Sequence, residues 1–319
     1  MLKKLLSLCC GFLIYTSAPS LSMATENLPI ADVHMHAYEK SASEANWFLK
    51  KMDELNVKWG GGVGSYSDHM VDVLGNRFIP AFGQSKFFTA FKTGGEEALK
   101  DPNNRYIKSL LRKADQLFQQ GKIKGFGEIH TDNRTSGPKR IRRQIPVNSS
   151  VVLEMYKIAN KYNGFVHLHV QYSPSLASDV IKLSKDFPNS ITILAHCVPG
   201  RTRDVIPLLR TVFKQTNNVY CETSGVNGPT HASNAPLFTK LFGKGNGRMY
   251  GVSGLNKWWK KLIETFPDRV MVGTDPCCGL KQKYPELVKE IREYLLPSLS
   301  PAIAKRVAYE NAVSVFGLK

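Results

Sequence analysis

Two histidines at the end of a short apolar run are the first residues in this chain that could do chemistry. The run covers residues 30–36, reads IADVHMH and carries His34 and His36. In a β-strand, residues i and i+2 point to the same face, so the two imidazoles would project side by side. Neutral imidazole nitrogens bind transition-metal ions, so the pair could bind one ion. The motif alone is weak, because two histidines in this pattern are more often surface or core residues.

Later apolar runs also end in residues that can bind a metal or move a proton. These residues are Glu128, His169, His196 and Asp275. Carboxylates and imidazoles bind Zn²⁺, Mn²⁺ and Fe²⁺, and a carboxylate can also act as a general base. His167 competes with His169 because both lie on the same face of one predicted strand. We favour His169 as the ligand, since it is nearer the carboxyl end of that strand.

The elements that must position these residues alternate between strand and helix. Eight strand-like runs are separated by helical patterns, and this alternation predicts a parallel sheet. Eight strands predict an α/β fold, a closed (β/α)₈ TIM barrel in a single domain, with function at the carboxyl ends of the strands. A doubly wound open sheet is the rival, but no Gly-x-Gly-x-x-Gly turn follows the first strand. The predicted strands are residues 30–36, 57–64, 77–83, 123–130, 165–170, 190–196, 218–222 and 269–275.

The predicted helices follow the 3.6-residue spacing of apolar side chains. Pro80 is awkward inside the third strand, so we expect it near an end or a bulge. Residues 224–256 are rich in glycine and asparagine and are predicted to form an active-site loop or cap. The predicted helices are residues 41–56, 102–120, 148–163, 176–187, 203–216, 255–266, 285–296 and 301–316.

The first 24 residues have the order of a secretory signal peptide. Lys3 and Lys4 precede an apolar stretch over residues 5–15, and small residues lead to Ala24. We therefore expect a signal peptide at 1–24, a TIM-barrel domain at 25–319, and export to the periplasm or the medium. The apolar stretch is short for a bilayer span, so no stable membrane span is expected after cleavage, and a retained anchor is the alternative.

Four cysteines follow the predicted cleavage point, and an exported compartment permits disulfides. None has the C-x-x-C spacing of a zinc knuckle, and sequence cannot choose among the three complete pairings. We expect buried or free thiols, with a disulfide as the alternative. The cysteines are Cys197, Cys221, Cys277 and Cys278.

The composition is basic, with a formal net charge of +17. Such a charge can attract nucleic acid, phosphorylated substrates or anionic surfaces. A charge far from zero also keeps an exported protein soluble, and this simpler interpretation is the one we favour. The partner we expect is a small-molecule substrate rather than a nucleic acid, and sequence does not determine the oligomeric state.

The ordered set of motifs resembles the amidohydrolase superfamily, with its TatD-like and amidohydrolase-related metal-dependent TIM-barrel hydrolases. The resemblance spans essentially all of residues 25–319. One departure argues against a TatD-like nuclease, because residues 127–132 read GEIHTD where those enzymes carry Gly-Glu-x-Gly-Leu-Asp. The matching segments are residues 32–36 (DVHMH), 127–129 (GEI), 166–169 (VHLH), 194–196 (LAH), 273–275 (GTD) and 311–318 (NAVSVFGL).

The resemblance implies one or two divalent metal ions, most often Zn²⁺, with Mn²⁺ and Fe²⁺ as alternatives. One ion would be held by His34, His36 and Asp275. The second would be held by His169 and His196, with Glu128 bridging both ions. Asp275 would also act as the general base that activates water against an ester, amide or phosphoester bond.

Two other functions stay open at this stage. Some amidohydrolase-related proteins are mononuclear metal-dependent decarboxylases, and the barrel could also be a non-catalytic module that binds metal or ligand. Four residues are candidates for substrate binding. His130 faces inward if its strand continues, and the basic loop after that strand could hold an anionic group through Arg140, Arg142 or Arg143.

Overall fold

The residues predicted to do chemistry lie at one end of a ring of parallel strands. The structure is a computed structural model that describes residues 27–37, 41–64, 66–135, 139–224, 228–230, 248–277 and 280–319. The predicted signal peptide, Cys278 and most of the predicted 224–256 loop lie outside the described residues. Within the described part, none of the helices combines the length and the apolar character that a membrane crossing requires.

The strands form a three-stranded sheet, a six-stranded sheet and a short hairpin. The strands are β1 (Ile30–Ala37), β2 (Val57–Gly64), β3 (Phe78–Ile79), β4 (Ala81–Gly83), β5 (Gly125–His130), β6 (Phe165–His169), β7 (Ile191–Leu194), β8 (Val219–Glu222), β9 (Tyr250–Gly251), β10 (Gly254–Leu255) and β11 (Val270–Met271). The three-stranded sheet has the order β1-β2-β3, the six-stranded sheet has the order β11-β8-β7-β6-β5-β4, and β9 pairs with β10. All of these pairs are parallel except the hairpin.

Pro80 and two backbone hydrogen bonds join the two parallel sheets. β3 pairs with β2, β4 pairs with β5, and Pro80 alone separates β3 from β4. At the other junction, the Val33 amide donates to the Val272 carbonyl at 3.0 Å, and the Asp275 amide donates to the His34 carbonyl at 2.8 Å. Counting β3 and β4 as one interrupted strand, eight parallel strands form the (β/α)₈ barrel. The placement of Pro80 at a break confirms the expectation for this residue.

The helices cover the outside of the barrel, as their apolar spacing predicts. In α4, Asn104 accepts the Tyr106 amide as an N-cap, while Ile107, Leu110 and Ala114 are buried at helical spacing. The helices are α1 (Ala42–Glu54), α2 (Asp68–Leu74), α3 (Gln84–Ala98), α4 (Arg105–Gln119), α5 (Ser150–Lys161), α6 (Leu176–Asp186), α7 (Thr202–Gln215), α8 (Lys257–Thr265), α9 (Tyr284–Glu290), α10 (Pro301–Lys305) and α11 (Asn311–Phe316).

Several features differ from the sequence-based expectations, among them β7, which ends at Leu194 instead of residue 196, and the unpredicted hairpin of β9 and β10. Helices α2 and α3 were not predicted, and α3 bends at Gly95, whose φ is 63°. The last strand was predicted over residues 269–275 but ends at Met271, and Asp275 lies beyond it in a left-handed conformation with φ 54°. The hydrogen bonds of β1 to Val272 and Asp275 hold this segment against the barrel.

The expectation of thiols is wrong for one pair of cysteines. Cys197 and Cys221 form a disulfide with their Cα atoms 4.7 Å apart, and both residues are fully buried. Cys197 lies just after β7 and Cys221 lies within β8, so the bond links two neighbouring strands of the barrel. The strand pairing that places Leu194 opposite Cys221 brings the two cysteines together.

Candidate metal centre

All six predicted metal ligands lie at the carboxyl end of the barrel and face one another. Each is at most 7 % exposed. Polar groups are buried this deeply only when other groups satisfy them, so their mutual contacts are informative. The six residues are His34 and His36 of β1, Glu128 of β5, His169 of β6, His196 after β7 and Asp275 after β11.

The first group consists of His34, His36 and Asp275. The Nε2 atoms of the two histidines are 3.2 Å apart. Asp275 Oδ1 lies 3.1 Å from His36 Nε2 and 3.6 Å from His34 Nε2. Three ligand-type atoms from three side chains therefore converge on one point.

The second group consists of His169, His196 and Glu128. His196 Nε2 lies 3.2 Å from His169 Nδ1. Glu128 Oε1 lies 2.6 Å from His169 Nδ1 and 3.4 Å from His196 Nε2. Like the first group, it consists of two imidazoles and one carboxylate, and its two imidazole nitrogens are also 3.2 Å apart.

Glu128 connects the two groups through its two carboxylate oxygens. Oε1 faces His169 and His196, as described above, whereas Oε2 lies 3.6 Å from His34 Nε2 and 3.8 Å from His36 Nε2. One oxygen thus points toward each group. A carboxylate in this position can bind two ions at once.

The spacing of these atoms fits a divalent ion. Zinc–nitrogen bonds of about 2.0–2.1 Å at tetrahedral angles place neighbouring ligand atoms roughly 3.3 Å apart. The two imidazole–imidazole contacts of 3.2 Å agree with that spacing, whereas the 2.6 Å between Glu128 Oε1 and His169 Nδ1 is the distance of a hydrogen bond. The donor set, imidazole with carboxylate, is the one that zinc, manganese and iron accept.

Opposite charges balance within the centre and shift several pKa values. Burial alone would lower the pKa of His34, but the carboxylates of Glu222, Glu128 and Asp275 outweigh burial and raise it well above its ordinary value. Burial would raise the pKa of Glu128, but the imidazoles of His130, His169 and His34 hold it well below its usual range. The same competition lowers the pKa of Asp275, chiefly through His34 and His36. The carboxylates are therefore ionised.

Glu222 is a functional residue that the sequence reasoning missed. It ends β8 and is fully buried. Its Oε1 atom lies 2.9 Å from His34 Nδ1 and accepts the His196 amide at 2.6 Å, while Oε2 accepts the Ser224 amide at 2.7 Å. A carboxylate on the far nitrogen of a metal-binding histidine orients the ring and selects its tautomer. The signal was available, because Glu222 ends a predicted strand just as Glu128 does.

Asp32 is the second missed residue, and it ties the first strand to the segment that carries Asp275. Asp32 Oδ1 accepts the amides of His34 at 3.1 Å and of Thr274 at 2.9 Å, and Oδ2 accepts the Thr274 hydroxyl. Complete burial raises the pKa of Asp32 to about 6, against these hydrogen bonds, which lower it. This carboxylate therefore holds the backbone on both sides of the first ligand group.

His167 and His169 have separate positions, and the structure places His169 in the ligand group. His167 is fully buried, its Nδ1 atom lies 3.3 Å from the Gly62 carbonyl, and its Nε2 atom lies 3.7 Å from Glu222 Oε1. Burial is the main cause of the lowered pKa of His167. His167 therefore packs behind the centre, beside Glu222.

Of the four predicted substrate-binding residues, His130 and Arg143 lie beside the centre. His130 Nε2 is 2.7 Å from Glu128 Oε2 and its side chain is partly exposed. Burial lowers the pKa of His130 to about 4 despite Glu128, so the neutral ring can donate to that carboxylate. His130 therefore supports Glu128 directly, a role that was not predicted.

Arg143 is the one of the three predicted arginines that is buried. Its guanidinium donates to the carbonyls of His130 and Ile141 and lies 5.0 Å from the ring centre of Phe91. Burial lowers the pKa of Arg143 to about 10, and the Glu128 carboxylate acts in the opposite direction. Arg140 is exposed and Arg142 is half-buried on the same turn. The structure thus brings Arg143, but not Arg140, toward the centre.

Comparison with known proteins shows the family to which this chain is similar. The amidohydrolase family model matches residues 102–318. No curated protein sequence matches the chain. The matched model describes amidohydrolases and does not specify the TatD-like branch. The TatD-like relationship therefore stays a prediction.

The solved structures that this chain resembles have very different sequences. An amidohydrolase from Burkholderia multivorans with bound zinc is 14% identical, with 91% of this chain and 100% of that chain covered and a TM-score of 0.50. A candidate 2-pyrone-4,6-dicarboxylic acid hydrolase from Pseudomonas putida is 11% identical, with coverages of 92% and 98% and a TM-score of 0.54. A 2,6-dihydroxybenzoate decarboxylase is 12% identical, with coverages of 92% and 100% and a TM-score of 0.47. At these identities the likeness to the first two structures shows the fold alone.

Proposed function

Because this chain belongs to the amidohydrolase family, whose model matches residues 102–318, we propose that it is a metal-dependent hydrolase. Its substrate is a small molecule with an ester, amide or phosphoester bond, and water is the nucleophile. Two divalent ions are the expected cofactors, with zinc the first candidate and manganese or iron the alternatives. The chemistry of the donor set supports this proposal.

The observation that carries the proposal is the position of Glu128 between two ligand groups. Its Oε1 atom faces His169 and His196, and its Oε2 atom faces His34 and His36. A single-ion site has no use for two complete groups sharing one carboxylate. In two-metal hydrolytic sites, the ions bind the nucleophile and the substrate oxygen together.

The side chains have separate tasks in this mechanism. A bound divalent ion would lower the pKa of water and polarise the carbonyl or phosphoryl oxygen. The ionised Asp275 carboxylate would accept a proton from the attacking water and return it to the leaving group. Glu222 and Asp32 would keep His34 and Asp275 in place, and His130 would keep the Glu128 carboxylate oriented.

Arg143 supports the finer proposal that the substrate carries an anionic group. It is a buried cation whose charge interacts electrostatically with the Glu128 carboxylate of the ligand groups. An arginine guanidinium can bind a carboxylate or phosphate oxygen with several parallel donors. Its packing over Phe91 limits the positions that the guanidinium can adopt. We expect Arg143, rather than Arg140 or Arg142, to bind the anionic group.

Metal content per chain is the experiment that tests the proposal. Protein purified without chelators should contain about two ions by mass spectrometry, and it should hydrolyse at least one member of a panel of esters, lactones, amides and phosphoesters. About one ion, together with release of CO₂ from aromatic carboxylates, would favour the decarboxylase instead. If no ion binds even after incubation with zinc or manganese, the remaining interpretation is a non-catalytic barrel that binds a ligand.

Replacing Asp275 by Asn tests the proposed base. Asn has nearly the same shape but cannot accept the proton, so we expect kcat to fall by about 10²-fold or more. Asp268→Asn is the matched control, because Asp268 is an exposed acid just before β11, at the opposite end of that strand from the centre. Unchanged hydrolysis in the Asp275→Asn variant, with metal still bound, would remove Asp275 from the role of base.

We also propose that the protein is exported. The basic, apolar and small-residue order of residues 1–24 supports this, and so does the Cys197–Cys221 disulfide, because such bonds persist mainly in oxidising compartments. Amino-terminal sequencing of the protein recovered from cells should begin at Thr25. A chain that starts at Met1 and fractionates with the cytoplasm would contradict export.

A further inference from the structure

His196 lies on a backbone turn that its own residues do not favour. His196, Cys197 and Val198 are consecutive, none is glycine, and their φ angles are 57°, 44° and 63°. Left-handed backbone is unfavourable for side chains of this kind, and most of all for the β-branched Val198. Three such residues in a row persist only when the surrounding structure holds them. The turn therefore needs contacts from outside itself.

Two links from β8 reach this turn from adjacent residues. Cys221 is bonded to Cys197, and Glu222 Oε1 accepts the His196 amide at 2.6 Å. A covalent bond and a hydrogen bond thus join residues 196–197 to residues 221–222. The four residues close a small ring, which we call the Cys197–Glu222 brace, and it is fully buried apart from the His196 side chain at 6 %.

The brace determines where the His196 imidazole lies. From the turn, His196 Nε2 reaches to 3.2 Å from His169 Nδ1 and 3.4 Å from Glu128 Oε1. The His196 ring also stacks on the His34 ring, with centroids 5.0 Å apart and planes at 27°. Relaxation of the turn to right-handed backbone would rotate the imidazole away from both neighbours. In the first ligand group, by contrast, His34 and His36 lie within β1 and outside this turn.

We propose that the Cys197–Cys221 disulfide and Glu222 act together as positioning residues for His196, and so for the ion that His169 and His196 would hold. This inference rests on the proposed function, because it concerns a ligand of that centre. The two arms of the brace have different reach. The disulfide is bonded to the His196 turn at Cys197, whereas Glu222 also lies 2.9 Å from His34 Nδ1.

The test measures the affinity for zinc at each site by competition with a chromophoric chelator. The Cys197→Ala/Cys221→Ala variant should hold one ion about tenfold or more weakly and the other with unchanged affinity, since loss of groups that orient a ligand costs about 10–100-fold. Glu222→Gln should weaken both ions. A glutamine carries no negative charge to hold the His34 ring, and its NH₂ group would face a donor amide, that of Ser224 or that of His196, in either orientation.

Val219→Ala is the matched control for general loss of stability. Val219 is a buried residue of β8 at the end of the strand away from the centre. Its replacement should lower the unfolding temperature and leave both zinc affinities unchanged. Circular dichroism of the zinc-free proteins checks that every variant is folded. If the double cysteine variant does not fold, Glu222→Gln alone still tests the brace, because it leaves the disulfide in place.

Three results would overturn the inference. Alkylation of Cys197 and Cys221 in unreduced, denatured protein would show that the disulfide is absent. Unchanged zinc affinity in the cysteine variant, or in Glu222→Gln, would show that the brace does not position His196, while the two-ion centre would stand. Wild-type protein that binds no ion would overturn the inference together with the proposed function.

Discussion

At the scale of single residues, the residues of the centre lie at the ends of apolar runs, and sequence identifies only some of them. Glu128 and Asp275 were predicted because each ends an apolar run, and the structure brings both together with the histidines. Glu222 ends a run in the same way, yet a strand-end carboxylate alone does not show whether it faces a ligand or a ligand's far nitrogen. That distinction depends on the rotation of the His34 ring, which no sequence pattern reports.

The role of Arg143 can be tested against its neighbour. Arg143→Gln removes a buried cation next to the centre, so we expect KM for an anionic substrate to rise about tenfold or more, which is the order of one charged hydrogen bond. For a neutral substrate of the same bond type, KM should be nearly unchanged. Steady-state kinetics on a matched pair of esters makes the comparison.

Arg140→Gln is the control for this prediction. Arg140 is exposed on the same turn, so its replacement changes the net charge equally without altering the centre. An equal rise in KM for both variants would mean that general attraction of anions is responsible. An equal rise for both substrates in Arg143→Gln would mean that the variant has disturbed the centre itself.

At the scale of elements, regular strands and amphipathic helices were predicted from sequence, while left-handed segments were not. β2 has the predicted bounds 57–64, although Gly62 within it has a positive φ. The turn at His196 and the segment at Asp275 depart from their predicted strands, since their backbone follows contacts made by Glu222 and Asp32. Helix α3 was missed because its apolar spacing is interrupted at Gly94 and Gly95.

Gly62 in β2 occupies a position that only glycine fits without strain. Its φ is +81°, and an added Cβ would lie 2.2 Å from the Val33 carbonyl oxygen of β1. Gly62→Ala therefore combines an unfavourable backbone conformation with a backbone clash. We expect it to lower the free energy of unfolding by about 3 kcal/mol or more, as measured by urea denaturation.

Gly121→Ala separates these two costs. Gly121 follows α4 with φ +67°, and an added Cβ would meet no atom within 4 Å. This variant should lose only about 1 kcal/mol, the cost of the left-handed conformation itself. Equal losses in the two variants would show that β1 moves away from the added methyl group without resistance, and the close packing of β1 on β2 would then be unimportant for stability.

At the scale of the whole molecule, the ligands come from strands spread around the barrel, so metal should bind the folded chain far better than the unfolded one. Removal of metal should therefore lower the unfolding temperature. With metal at about 100 times its dissociation constant, one ion contributes about 2.7 kcal/mol. This corresponds to a fall of about 5 °C for a chain of this size.

Calorimetry of the protein before and after treatment with a chelator measures this shift. Chelator saturated with zinc is the control, because it changes the solution in the same way but removes no metal. Readdition of zinc should restore the original unfolding temperature. A chain whose unfolding temperature is the same with and without metal would not hold an ion in this centre.

The hydrogen bond between Asp32 and Thr274 spans 242 residues of sequence, and the contact of His34 with Glu222 spans 188. Contacts between such distant residues carry a large loop-closure cost and form late in folding. Asp275 joins the centre only when the last strand has closed on the first. A chain that has been synthesised up to β8 already has His34, His36, Glu128, His169 and His196, yet it lacks the carboxylate proposed as the base. The complete set of proposed metal ligands, with the proposed base, is therefore assembled only after the carboxyl-terminal part of the chain has closed the barrel.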